Sequence, residues 1–461
     1  MRIPIVSGIV ADESGALLTS YPTNREPVLQ DTGISEGYLA VPMGIRTVAE
    51  PSLGADRGGI NWNGVCYRVM GTSLVRVGSD WSVSVLGDVG QGDVCALAYS
   101  FDNLIVNSGT RLYYWNSNAG LRRVSDTDLG EVHDAIYVDG YTMTTDGEFL
   151  VVTDLNDPTA VDPLKYGSAE ESPDAITGLA KLPGEVYAFG RYTIQPFQNV
   201  GGTGFPFRTV KSGAIMKGCV GPRAKANFAG SIAFVGGPEN QEPGVWVMSS
   251  ADADKISPLE VDKDLAALSD EDLSSVWVEV RGMADDERLI LHLPTHSWGF
   301  SWQVTRKSQV KTWCRYEGAS GRYEGRGLVY CYGQWIVGSS SGQIGVLDSS
   351  TAKHYGQNVG WQFDTTLIYN EARRGQIHEL ELIGTPGRGE EGRVFLSYTK
   401  DGETWSMERA VSAGKPGEHR KRVAWRPGIR FEQYMGLRFR GVGAALMGIA
   451  RLEARLEPLD G

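Results

Sequence analysis

One unit returns seven times through the middle of this chain: an apolar strand, a turn with glycine in or near it, and a second strand bearing large apolar residues. The copies begin at Val65 (VCYRVMGTSLVRV), Leu104, Tyr141, Val186, Ser231, Leu289 and Trp335, at spacings of 39, 37, 45, 45, 58 and 46 residues. A four-stranded propeller blade takes ~40–50 residues. A single hairpin cannot bury its own face, so neighbouring copies must pack around a common axis. The spacing therefore predicts an irregular, propeller-like body of six or seven blades. A pair of packed β-sheets is the alternative.

Length and composition fit that reading. A chain of 461 residues exceeds the ~250–300 that one core usually supports, so two or three domains are expected. Glycine (59), tryptophan (12) and tyrosine (19) are abundant, and helix-period stripes are scarce, which points to an all-β or mostly β protein. Residues 58–364 hold the repeats. Residues 1–57 are extended and turn-rich, and 365–461 read as strands and loops. We expect the N-terminal segment to join the C-terminal part in a second, platform-like β domain. Within the longest repeat, Ser269 followed by Asp272 reads as an N-cap with an acidic first turn and predicts one short helix.

Several function classes are excluded. The formal net charge of −12 does not suit a nucleic-acid clamp, which needs a basic stripe. Five cysteines, an odd number without a Cys-x-x-Cys pair, read as reduced and mostly buried thiols of a protein that folds in a cytoplasm. The opening MRIPIVSGIVADESG is too broken for a secretory signal, and no stretch reaches the ~18 apolar residues of a membrane helix.

The motifs that could hold chemistry fail on context. Gly387-Arg-Gly389-Glu-Glu-Gly392 matches a dinucleotide fingerprint, but a strand follows it, not a helix, and Glu390 and Glu391 would repel phosphate. Gly338-Ser-Ser340-Ser-Gly342 matches a nucleophile elbow, but it too runs into a strand. His292 and His296 would share a face only on a helix, which Pro294 forbids; on an extended chain they lie ~13 Å apart. Asp154, Asn156, Asp157 and Asp162 lack the spacing of a calcium loop. Thr399 to Trp405 (TKDGETW) comes within one residue of the Asp-box hairpin of sialidase propellers. That box is a folding device in which aspartate caps a turn and tryptophan packs beneath it. No catalytic, cofactor or metal residue is assigned.

Charge is unevenly spread. From Asp401 onward there are 11 Lys/Arg against 8 Asp/Glu, and KPGEHRKRVAWRPGIR (Lys415 to Arg430) is the densest basic run. A solvated strand face and a contact with an acidic partner both fit it.

Several phrases also convey a resemblance: SPDAITGLAKLPGEVYAFGRYTIQPFQNVG, ERLILHLPTHSW, TWCRYEG and the stretch from Val394 to Arg440. Taken in register from about Tyr21 to Leu456, the chain resembles the tail-nozzle, or packaged-DNA stabilisation, proteins of short-tailed bacteriophages. The resemblance implies a structural virion protein without catalytic residues or cofactor, made in the host cytoplasm and resident in the phage tail. It implies a homo-hexameric tube below the portal and its adaptor ring, closed by a tail needle or plug and bearing spikes or fibres. Genomic DNA would pass through the channel without sequence-specific binding. On its charge and its place in the platform, the basic run is expected to face the adaptor or portal through Arg420, Lys421, Arg422 and Arg430. The competing reading is a propeller-type carbohydrate-binding protein or glycosidase, favoured only by the Asp-Gly-Glu-Thr-Trp turn.

Overall fold

Each of the seven sequence hairpins is the middle pair of strands of its own antiparallel sheet. The pairs run from Val65–Met70 with Ser73–Val77 in the first blade to Gln334–Gly338 with Ile344–Asp348 in the seventh. These facts come from a computed structural model that describes residues 2–6, 8–11, 17–30, 35–169, 174–202, 204–210, 213–249, 252–283, 286–369 and 374–459. Residues 1, 7 and 12–15 of the leading stretch, and 370–373 and 460–461 of the C-terminal part, lie outside those ranges.

In every blade the strand before the hairpin faces the axis. These inner strands are Asp56–Trp62, Ala96–Tyr99, Asp134–Val138, Ile176–Leu182, Lys225–Phe228, Trp277–Met283 and Arg326–Cys331. Among the described turns, four lead into the next strand through two residues that both have positive φ. They are Asn63-Gly64, Asp139-Gly140, Ala229-Gly230 and Tyr332-Gly333. Such turns match the right-handed twist of the flanking strands, which is why glycine recurs there.

The middle strands are buried on both faces. Leu104–Ser108 and Gly244–Met248 have no exposed or half-buried position. A sheet sandwiched between two others loses the alternation of a half-exposed strand and reads as a continuous apolar run, the signal that exposed the repeat. Apolar clusters fill the seams between blades; Trp62, Tyr67, Val69, Leu104 and Tyr113 join the first to the second, and Val75, Val77, Val329, Ile336 and Ile344 join the first to the seventh. The ring is closed by a strand from before the repeats: Gly44–Ala49 pairs with Ile344–Asp348 as the outer strand of the seventh blade.

The helix expected after Ser269 is present at Asp270–Ser274, with the Ser269 hydroxyl accepting from the Asp272 amide at 3.1 Å. Two more helices, Leu259–Ala266 and Trp302–Ser308, were not expected. The first follows Pro258, which offers no capping oxygen. The second continues an aromatic run that reads as strand, and the Ser301 hydroxyl caps it by accepting from the Val304 amide.

Apart from a two-stranded ladder of Gly8–Ala11 with Leu17–Ser20, the remaining strands form two sheets around a separate core that includes Phe363, Phe439, Leu437, Trp425 and Ile449. One sheet has seven strands, with Glu26–Leu29, Gly37–Ala40, Ile449–Pro458, Gly375–Gly384 and Val423–Trp425 side by side. Its other two members are Arg2–Ile3, against Ile449–Pro458, and Ile429–Phe431, against Gly375–Gly384. The other has five strands, centred on Tyr434–Val442 between Gly360–Asp364 and Arg393–Thr399. This β-sandwich is thus built from both ends of the chain.

Candidate functional site

The inner strands enclose an axial cavity of about 870 Å³. Its two carboxylates, Asp134 and Glu279, are committed. Asp134 is buried and accepts from Arg223, from Lys225 Nζ at 2.9 Å and from the Leu179 and Ala135 amides at 2.8 Å. Burial alone would raise its pKa, but Arg223 and Lys225 outweigh it and hold the carboxyl below its ordinary value. Glu279 accepts from the Leu328 amide at 2.8 Å and the Gly327 amide at 3.0 Å, and lies 2.9 Å from His292 Nε2. A carboxylate held this way ties blades together.

The two histidines sit at one turn, since His292 lies opposite Ser297, and it is their partners that separate them. His292 lies between Glu279 and the Ser297 hydroxyl; His296 contacts Asp264 at 2.9 Å. Among the described residues, no group of three His, Cys, Asp or Glu side chains could hold a metal ion. All five cysteines are free and buried.

The Asp-Gly turn is a folding device in the sandwich. Asp401 Oδ1 accepts from the Thr404 amide at 2.8 Å, the Glu403 amide at 3.0 Å and the Thr399 hydroxyl at 2.8 Å. With the Thr404 hydroxyl donating as well, these bonds hold the carboxyl well below the usual carboxylate range. Trp405 lies 3.9 Å from the Arg438 guanidinium carbon, and Arg438 forms a two-pronged pair with Asp364 at 2.7 and 2.9 Å.

The basic run lies along one edge of the seven-stranded sheet. Arg422 enters the edge strand Val423–Trp425 and pairs with Glu381 at 2.6 Å and Glu379 at 3.1 Å on Gly375–Gly384. Arg430, on Ile429–Phe431, donates to Gln376 Oε1 at 2.9 Å further along the same strand. Arg420 and Lys421 are exposed in the loop before the edge. Arg422 and Arg430 thus share an edge, and the carboxylates beside Arg422 offset part of its charge.

Sequence reasoning missed the junction between propeller and sandwich. Pro22–Asn24 runs between the outer strand of the sixth blade and the first strand of the five-stranded sheet. The Arg315 amide donates to the Pro22 carbonyl, and the Asn24 amide donates back to Arg315, both at 2.8 Å; the Thr23 amide donates to Gln362 at 2.8 Å. Glu26 then plunges into the sixth blade. Its Oε1 accepts from Arg281 and from the Tyr316 hydroxyl, both at 2.6 Å, and Arg288 lies 3.7 Å from Oε2. All four side chains are buried. The sequence signal, TNREPVL, is a pair of adjacent charges at a strand start, indistinguishable from a solvated one.

Comparisons with known proteins cover both parts. A family model described as Bacteriophage P22 Gp10, beta-propeller, matches residues 1–352, and a second, Bacteriophage P22 Gp10, beta-sandwich, matches residues 360–457. Among curated proteins, the tail hub protein gp10 of Salmonella phage P22 is 26% identical over 483 residues, spanning 99% of each chain. Among solved structures, the WD40 domain of Neurospora crassa Pan2 covers 66% of this chain and 94% of its own at 9% identity, with a TM-score of 0.42. PorZ of Porphyromonas gingivalis covers 79% of this chain and 46% of its own at 11% identity, with a TM-score of 0.40. Likenesses that low support nothing further.

Proposed function

The chain belongs to the phage P22 Gp10 family, and on that membership we propose that it is a structural component of a phage tail hub, non-enzymatic and resident in the virion. The observation behind this reading is that propeller and sandwich are both matched, in order, and that a tail hub protein aligns along 99% of either chain. A tail hub must contact other tail and portal components.

The finer reading rests on the family resemblance for the tube and on charge and placement for its surfaces. Six copies form a closed tube below the portal and its adaptor ring. The tube retains packaged DNA, conducts it at ejection, and anchors a plug and fibres or spikes. The acidic balance of the chain favours passage: a wall that gripped DNA through Lys and Arg would release counterions and bind tightly at low salt. The free protein should show negligible duplex affinity at physiological salt. The basic edge, with Arg420, Lys421, Arg422 and Arg430, faces the adaptor or portal, where rim charges steer docking and fix register more than they add affinity.

Counting copies by mass measurement on assembled tails tests the tube, and any number other than six per portal refutes it. Reversing Arg420, Lys421 and Arg422 together to Glu tests the edge. Filled heads should fail to gain the hub and should leak DNA. Tail assembly at the wild-type rate and salt dependence would show that another surface docks.

A further inference from the structure

At the end of the axis where the inner strands begin, two arginines lack partners. Arg326 opens the inner strand of the seventh blade, and Arg322 lies in the loop that leads to it. The loop between them is pinned. Tyr323 is 4% exposed and stacks on His292, with ring centres 6.2 Å apart and planes 9° from parallel. Glu324 is drawn aside by Ser340, whose amide and hydroxyl both donate to it at 2.8 Å. Arg322 and Arg326 are left to line one cavity of about 390 Å³. Neither guanidinium makes a hydrogen bond or an ion pair with a described residue. Arg326 is half-buried: its Nε is closed off, while its two terminal nitrogens are open to solvent. Burial and the nearness of Arg322 hold the Arg326 pKa below its ordinary value, although Glu324, Asp56 and Glu279 pull the other way. Arginine stays a cation at neutral pH, so two like charges face the cavity with their repulsion unrelieved.

The walls come from the starts of the inner strands of the first, sixth and seventh blades and from the loop before that of the second. Arg57 adds a third cation there. All its bonds go to neutral oxygens: the Asp93, Gly71 and Gly90 carbonyls and the Ser108 hydroxyl. The carboxylates close by are engaged elsewhere. Asp56 pairs with Arg68 at 2.7 Å, Glu324 serves Ser340, and Glu279 is held by His292 and two amides as described above. Asp93 and Asp272 also line the cavity; both are exposed, and neither pairs with Arg322 or Arg326.

We propose that this cavity binds one phosphate group, free or as a small monoester, between the Arg322 and Arg326 guanidiniums. Charge and geometry select the class. A phosphate monoester carries about −1.5 to −2 charges at pH 7 and three acceptor oxygens, so it can accept from both arginines at once and match their combined charge. Arginine's planar fork fits phosphate oxygens two at a time. One water takes ~10–15 Å³ of such space, so 390 Å³ leaves room beyond the phosphate for an organic group beside Trp277, Leu293 and Pro294. With walls from four blades, a bound phosphate is a clasp across the ring, and the site is independent of any role in a tail.

The test is calorimetric titration of the purified full chain near neutral pH with sodium phosphate and with phenyl phosphate, sodium chloride holding the ionic strength. The wild type should bind one phosphate per chain. Arg322→Gln, an exposed change that leaves the fold intact, should weaken binding roughly tenfold or more by removing a charged hydrogen bond. Arg326→Gln should do the same, and if it does not fold, Arg322→Gln decides alone. Arg455→Gln, which removes an exposed arginine of the sandwich, should bind as the wild type does. No saturable binding by the wild type, or equal affinity in the wild type and Arg322→Gln, overturns the proposal. An equal loss in Arg455→Gln also overturns it, because the attraction would then belong to overall charge. Tighter binding of phenyl phosphate than of inorganic phosphate identifies a monoester as the ligand, equal or weaker binding identifies the free ion, and both sustain the site.

Discussion

The propeller and the sandwich are both antiparallel, but they differ in how far along the chain a strand finds its neighbour. Within a blade the partner is at hand: Val65–Met70 turns straight into Ser73–Val77. The ring recruits one distant strand, Gly44–Ala49, and Arg46 there pairs with Asp348 across 302 residues. In the sandwich distance is the rule, for Arg2 lies opposite Glu453 and Ile449 opposite Leu39. Loop closure becomes only slowly more costly with length, so this topology costs little stability, but pairing of distant segments is slow. The blades are able to nucleate locally, whereas the sandwich waits until both ends of the chain exist.

That contrast breaks most directly at Glu26, which belongs to a sandwich strand yet is neutralised inside the sixth blade. Glu26→Ala leaves Arg281 and Arg288 buried without their carboxylate, and breaking such a pair costs about 3–5 kcal/mol. Urea unfolding followed by tryptophan fluorescence should separate into two transitions, with the sandwich melting first. One cooperative transition would show that the two regions are a single folding unit despite their different construction.

Acid offers the next largest effect. Burial alone would raise the Glu26 pKa, but Arg281, Arg288 and the Tyr316 hydroxyl outweigh it and bring it down to about 2 from an ordinary 4.5. A depressed folded value gives stability that is complete above about pH 4.5 and is lost as pH falls towards about 2. The shift corresponds to ~3 kcal/mol. Unfolding free energies from denaturant titrations between pH 6 and pH 2 should fall by about that amount more in the wild type than in Glu26→Ala.

Trp405→Ala should be milder. It removes the ring against Arg438 and leaves the Asp364 pair, a loss of about 1 kcal/mol read as a small shift in the sandwich transition alone. Smallest is the reversal of Arg420, Lys421 and Arg422 to Glu. Arg422→Glu sets a third carboxylate beside Glu379 and Glu381, a loss of no more than about 1 kcal/mol at an exposed edge, so Tm should fall only slightly and is measured beside assembly to tell a docking defect from a folding one.

The same contrast decides what could be read from the sequence. The blades were legible because their middle strands are covered on both sides and so appear as apolar runs broken by glycine turns. The seventh blade's outer strand, Gly44–Ala49, was not, because nothing local ties GIRTVA to residues 344–348. The helix at Asp270–Ser274 announced itself through the Ser269 cap, whereas Leu259–Ala266 has no capping side chain to see. Among the candidate residues, the charge of Arg422 and Arg430 was plain, but Glu379, Glu381 and Gln376 beside them depend on strand register. Arg25 and Glu26 were hidden for a chemical reason: adjacent charges are normally solvated, and only the alternation of a buried strand puts one in each domain.

The pairing of Arg2–Ile3 with Ile449–Pro458 has a mechanical consequence. The first and last described strands lie side by side, so a pull on the two ends of the chain is delivered to one sheet of the sandwich. The blades lie outside that load path, because neither end of the chain is a blade strand. A tug on the two ends first parts Arg2–Ile3 from Ile449–Pro458 and then loads the inside of the sheet, where Ile449–Pro458 lies between Gly37–Ala40 and Gly375–Gly384, while the ring around the axis feels no tension until that sheet has come apart.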